Sequence, residues 1–188
     1  MTSKQISILF VAGVLINIGG QYLNEALGLT LFLDSIGTIM VAAMLGPWVG
    51  AGVGFISNFL TGLVINPVLI PFALVNMMIG VVVGFLARKR GFKDFLTPLY
   101  ASLILTVLGP LMAVPIAVYL FGGITGGGLD KLYLSFLQSG NDVMSSAFLA
   151  RIPMNFADKM ISTYLIMGLI YIIPYRWRGL AEKGNNAE

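Results

Sequence analysis

The segment 151–162 reads RIPMNFADKMIS and opens an apolar run that ends at Pro174. On a helix Asn155, Asp158, Lys159 and Ser162 share one face, because residues three and four apart stack above one another. Arg151 sits one turn before them. Ionisable side chains beside a membrane-length apolar stretch are unfavourable, and by default they mark ligand or ion sites. Two further polar groups have helical spacing. Asn17, Gln21 and Asn24 stand at i, i+4 and i+7. Asp34 and Ser35 open a second apolar stretch, with Thr38 one turn deeper on the face of Asp34. Helix capping or headgroup contact accounts for any one group alone. Three groups near one side of a membrane together describe a polar pocket.

Two amides lie deeper. Asn58 is about 11 residues past the start of its apolar stretch and Asn76 about nine past the start of the next. At ~1.5 Å per residue both are near mid-depth. Amides in hydrocarbon need partners, so both are expected to face inward, either bonded to each other or forming a pocket floor.

This is the chemistry of binding. A membrane enzyme needs a nucleophile with a base, a metal cage or paired deep carboxylates. The chain has no His and no Cys, and only Asp34 and Asp158 qualify as acids beside a span. No enzymatic activity, catalytic residue, metal site or cofactor is expected. Neighbouring residues on a helix point about 100° apart, so Asp158 and Lys159 are not expected to pair with each other. Asp158 is expected to reach Ser162 or Arg151, and Lys159 to snorkel to the surface.

The elements that must position these residues follow from composition. Of 188 residues, 57% are hydrophobic and 10% charged, against roughly 25% charged in a soluble domain. So few charges cannot cover a water-facing surface. The chain reads as one all-α integral membrane domain, 1–188. Six spans, each built on about 20 apolar residues or somewhat fewer, are placed at about 5–23, 31–45, 47–65, 67–87, 95–121 and 153–173. The first lacks an A-x-A cleavage site and is expected to be retained. Pro47, Pro67 and Pro153 fit the first turn of a helix, where a missing N–H does no harm. Pro71, Pro110 and Pro115 fall inside spans and are expected to kink or interrupt them.

An even number of spans puts both termini on one side. That side carries Lys4, Arg88, Lys89, Arg90, Lys93, Arg176, Arg178 and Lys183, and the other only Lys131, Arg151 and Lys159. The bias makes both termini cytoplasmic, with lipid around the spans. The net charge of +3 reflects these basic loops and does not indicate nucleic acid. The long outer connection, 122–152, opens with GGITGGGLD and continues with Leu132, Leu134, Phe136 and Leu137. It is expected to lie in the interface or to fold back over the bundle as a lid. Asn141 or Asp142 can cap a short helix in it that ends at Arg151.

Gly46, Gly50 and Gly54 recur every four residues, continued by Asn58 and Gly62, and Gly80 and Gly84 repeat the spacing. Such rows let membrane helices approach closely, either within the bundle or toward a partner subunit. The Gly50, Gly52, Gly54 spacing is no nucleotide fingerprint, since no strand precedes it and no phosphate-binding lysine follows. There is no Walker A motif, so any ATP-driven step falls to another protein.

Residues 31–63, LFLDSIGTIMVAAMLGPWVGAGVGFISNFLTGL, resemble the second and third helices of S components, the substrate-binding membrane subunits of energy-coupling factor (ECF) vitamin transporters, and in particular their riboflavin-type group. FGGITGGGLD and PMNFADKMISTYLIMGLIYIIPYR resemble the last loop and helix of the same group. The resemblance covers about 5–178. It implies a six-helix membrane fold in a prokaryotic plasma membrane, with a vitamin site near the external face. It implies a transmembrane coupling protein and two cytoplasmic ATPases as partners, and an S component that topples to deliver its ligand. Many such subunits carry an A-x-x-x-A pattern in helix one for docking. Here Ile16 follows Ala12 by four, and Gly13, Asn17 and Gly20 form a stripe instead. Docking is then expected at Gly13 or along the row Gly46, Gly50, Gly54.

The residues expected to bind substrate are Gln21, Asn24, Asp34, Thr38, Asn58, Asn76, Tyr133, Arg151, Asn155, Asp158 and Lys159. So few pocket charges suggest a largely neutral ligand, held by amides, hydroxyls and aromatic faces, with Tyr22, Phe32 and Tyr133 as stacking candidates. Subgroup resemblance prefers cobalamin or a riboflavin-like vitamin. Metal-ion cargo is disfavoured, since the S components that carry it use N-terminal histidines. The alternatives are a membrane sensor or signalling module and a stand-alone facilitator. Only ten residues follow Arg178, too few for a sensor's output domain. A facilitator needs a continuous polar path, whereas the inner half of these spans is Gly, Ala and aliphatic.

Overall fold

The computed structural model describes residues 1–185; the last three residues of the expected domain, 186–188, lie outside them. The described chain is all-α, without a strand. Its helices are α1 (Ser3–Leu27), α2 (Ile36–Leu45), α3 (Pro47–Val64), α4 (Ala73–Arg90), α5 (Leu96–Phe121), α6 (Leu129–Gln138) and α7 (Val143–Ile172). Short 3-10 turns occupy Leu33–Ser35 and Pro67–Leu69, and two more, Tyr175–Trp177 and Gly179–Asn185, follow α7.

Local chemistry sets the helix ends. Thr2 and Gln5 form a capping box at the start of α1, satisfying two otherwise unpaired N–H groups. Gly28, left-handed at φ 59, ends it. α1 therefore runs four residues past the expected end, and Gln21 and Asn24 ride on its last turns. Gly46 turns the chain at φ 98, and Pro47 opens α3 as expected.

Three proline expectations are corrected. Pro153 does not start a helix. α7 begins ten residues earlier, where Asp142 Oδ1 accepts from the Met144 and Ser145 N–H groups, and it runs through Pro153 without a break. Proline removes one backbone bond, and just before it Ala147 and Ala150 pack against Val114 of α5 and Tyr133 of α6. The helix expected to end at Arg151 is thus the first third of α7. Pro67 opens a 3-10 turn capped by Asn66, and Pro71 precedes α4 instead of lying within it. Pro110 and Pro115 do lie inside α5, which continues through both.

By length and composition, α1, α3 and α5 can each cross a membrane. α4 carries Arg88, Lys89 and Arg90 in its last turn, and α7 carries Arg151, Asp158 and Lys159. α2 has ten residues, and it is the centre of the bundle. Every residue from Gly37 to Met44 is buried, as expected of a helix apolar all round. α1, α3, α4 and α7 surround it, and α5 packs along α7. The outer faces are apolar as well. Val11, Leu15, Leu63, Val64, Val107, Leu111, Ile161 and Ile172 are exposed, a pattern suited to lipid.

The glycine rows are used within this bundle. A methyl at Gly80 would strike the backbone of Gly50 and Ala51, one at Gly84 that of Gly46 and Pro47, and one at Gly54 that of Asn76. Gly50 lies against Ala42, and Gly13 against the carbonyl of Gly37. Gly13, Gly46, Gly50 and Gly54 are all buried, where they serve helix packing. Backbone-to-backbone contact gives α3 and α4 an extensive interface. Gly80→Ala is therefore expected to destabilise by about 1–3 kcal/mol, since backbone cannot give way. Gly168→Ala, with nothing within 4 Å, is expected to be neutral or to stabilise by up to about 1 kcal/mol. Melting temperatures of the detergent-purified variants check the pair; equal values would contradict this packing.

Candidate substrate cavity

Met1 and Met44 meet Gly179, and Leu180 meets Gly46 beside Arg88, at the end of the bundle that holds Met1 and the segment after α7. The opposite end, where α1 passes to α2, α3 to α4 and α5 to α6, contains a cavity of about 590 Å³. That volume lies within the roughly 300–1,000 Å³ of small-molecule sites. Its walls come from Gln21 and Asn24 on α1, Phe32 and Asp34 before α2, Phe72 and Asn76 at the start of α4, and Arg151, Asn155 and Lys159 on α7. The glycine-rich loop Thr125–Gly128 closes one side, and Gly109 and Ala113 of α5 form another.

The floor is an amide relay. Asn76 Nδ2 donates to Asn58 Oδ1 at 2.7 Å and to the Asp34 carbonyl at 3.0 Å. The expected bond between the two deep amides is present, and it also ties α3 and α4 to the turn before α2. Asn76 Oδ1 has no partner among the described residues. Deeper still, Asn17 donates to Thr38 Oγ1 and Ser57 Oγ, and its Oδ1 accepts from the Gly37 and Thr38 N–H groups. One amide thereby joins α1, α2 and α3, and Thr38 is spent on it.

The Asp158–Lys159 expectation is corrected. Lys159 does not snorkel: it is 2% exposed, pairs with Asp158 Oδ2, and donates to Ser35 Oγ at 2.7 Å. Asp158 Oδ1 accepts from the Phe32 N–H at 3.2 Å, and neither Ser162 nor Arg151 meets it. The lysine stem is long enough to bridge the 100° between neighbours. With water excluded, the nearest opposite charge is its best partner. Together the two side chains fasten α7 to the 3-10 turn Leu33–Ser35.

A family model described as ECF transporter, substrate-specific component matches residues 5–170. The chain belongs to that family. Neither curated proteins nor solved structures give a match. It is thus a membrane-embedded, substrate-binding component of ECF importers, a family of transporter subunits and not of enzymes.

In this S component, the expected site residues Gln21, Asn24, Asp34, Asn76, Arg151, Asn155 and Lys159 converge on the cavity. Thr38, Asn58 and Asp158 do not line it; they support it from behind. Tyr133 lies apart, buried against α7 with its hydroxyl donating to the Gly122 carbonyl. Tyr22 points outward at 65% exposed, and of the three aromatic candidates only Phe32 reaches the wall. Sequence reasoning missed Asn66, Phe72 and Gly109. A Gly109 Cβ would sit 2.9 Å from Asn155 Oδ1, so the glycine makes room for that amide. A glycine before a proline in an otherwise aliphatic span is the signal that could have found it.

Removing one partner of a buried ion pair leaves a bare charge, at about 3–5 kcal/mol. Asp158→Asn and Lys159→Met are each expected to destabilise the protein by that order. Asp158→Asn combined with Lys159→Met is expected to recover most of the loss. A double-mutant cycle on melting temperature checks this, and additive losses would contradict the pairing.

Proposed function

We propose that this S component captures a vitamin or related micronutrient from outside a prokaryotic cell and holds it in the cavity for ATP-driven uptake. The observation that carries this reading is the set of unpartnered polar atoms at the cavity. Asn24 Oδ1, Asn76 Oδ1 and Arg151 Nη1 all lack a hydrogen bond among the described residues, and all three residues line one space. Buried polar groups are ordinarily satisfied. Here a ligand is what satisfies them.

The proposed topology is a single integral membrane domain of six spans, made by α1 to α5 and α7, with both termini cytoplasmic. The Lys and Arg excess at the terminus-bearing end supports it. The cavity then opens outward. The loop Thr125–Gly128 and α6 act as its lid. Asp130 holds the loop in shape by accepting from Thr125 and Gly126, and Tyr133, Leu132 and Phe136 pack α6 against α7. Energy is supplied by partners, one coupling membrane protein and two ATPases, as in ECF importers. The preferred cargo is cobalamin or a riboflavin-like vitamin, on subgroup resemblance.

Mass spectrometry of the purified protein is expected to find a co-purified small molecule, and pull-down an ATPase module. Neither appearing would overturn the reading. Asn155→Ala is expected to weaken binding of the recovered molecule about 5- to 10-fold, the worth of one hydrogen bond, with normal membrane insertion. Unchanged binding would remove Asn155 from the site.

A further inference from the structure

The charge state of the substrate follows from Arg151. Its side chain is 2% exposed, lines the cavity and makes no hydrogen bond or ion pair among the described residues, and Nη1 is fully enclosed. Most of the other charged groups around the cavity are hydrogen-bonded within the protein, and Asp130, the acid that acts on Arg151, stands beyond ion-pair distance from it. Lys159 has Asp158 and Ser35. Asp130 accepts from Thr125 and Gly126, and Glu25 at the rim accepts from Gln21. Asp34 lies in the turn that carries Ser35, the partner of Lys159. Arg151 precedes Lys159 by eight residues, about 12 Å along a helix, so the two cations serve different ends of the cavity. Facing α7 from α5, Gly109 and Ala113 bring no polar side chain.

We propose that the substrate carries a carboxylate or phosphate group that docks on the Arg151 guanidinium. This rests on the cavity being the substrate site. A neutral acceptor returns hydrogen bonds to the buried guanidinium but not a compensating charge, whereas an anion returns both. A carboxylate or phosphate matches the planar fork of N–H donors with two parallel bonds. Lys131, at the cavity wall but exposed, adds positive potential on the approach. The rest of the ligand meets acceptors, Asn24 Oδ1 and Asn76 Oδ1, so it presents N–H or O–H donors there. The substrate is therefore an acid with a hydrogen-bonding body, and not the neutral molecule that the small number of charges suggests.

The test is equilibrium binding to the full-length, detergent-purified protein, using pairs that differ only in charge. Pantothenate with pantothenol, biotin with biotinamide, and riboflavin 5′-phosphate with riboflavin serve, in micelles containing phosphatidylglycerol. In at least one pair the anionic member is expected to bind about 10- to 100-fold more tightly, the range for a charge-assisted bond. Arg151→Gln is expected to lower it to the level of its neutral partner. A neutral member that binds equally or better overturns this inference and leaves the transport reading standing. So does a preference that survives in Arg151→Gln, and so does loss of the preference to the anionic lipid. Binding by no member of any pair counts against both readings. If Arg151→Gln does not fold, the wild-type comparison still decides.

Discussion

Lys159 is almost wholly buried, and its charge is answered inside the bundle. Asp158 and Ser35 answer it, and that arrangement determines much else. It fastens α7 to the turn before α2, through Ser35 on one side and the Phe32 N–H on the other. It thereby positions Phe32 and Asp34 at the cavity wall. It also places Asn155, one turn earlier on α7, opposite the gap at Gly109. Backbone and side-chain groups in a membrane must find partners within the protein, so a single buried pair can locate a whole binding surface.

Close packing does the rest. α2 has ten residues and is enclosed by α1, α3, α4 and α7. The helices around it approach through glycine, at Gly13 against Gly37 and at Gly50 and Gly54 against Gly80 and Asn76. Short separations there bring Asn17, Asn58 and Asn76 within reach of their partners. The polar relay and the glycine rows are thus one device. Each amide bond between helices requires the small residues beside it, and the amides then fix the register of the helices that the glycines let approach.

Much of this was legible in the sequence because it follows from composition and period. The all-α membrane architecture, the inward deep amides, and the grouping of Gln21, Asn24, Asp34 and the α7 residues at one end all come from helical spacing. What escaped was tertiary. The helix capped by Asp142, expected to end at Arg151, continues through Pro153 by packing on α5 and α6, where local rules place a new helix start. The Asp158–Lys159 pair defies the geometry of Cβ vectors, because a flexible stem and a dry environment outweigh it. Tyr133 carries an aromatic signal but packs inside the lid segment, and Gly109 carries chemistry only through the amide opposite it.

A division of labour results. Asp158, Lys159, Asn58 and Asn17 have satisfied their bonding within the protein and hold the cavity's shape. Arg151, Asn24 and Asn76 keep bonding capacity in reserve, and these recognise cargo. A structure of the protein with its co-purified ligand tests that division most directly. The account predicts ligand in contact with Arg151, Asn155 and Asn76 while Lys159 stays on Asp158 and Ser35. Ligand bound outside the cavity, or Lys159 released from Ser35 to hold it, would contradict the account.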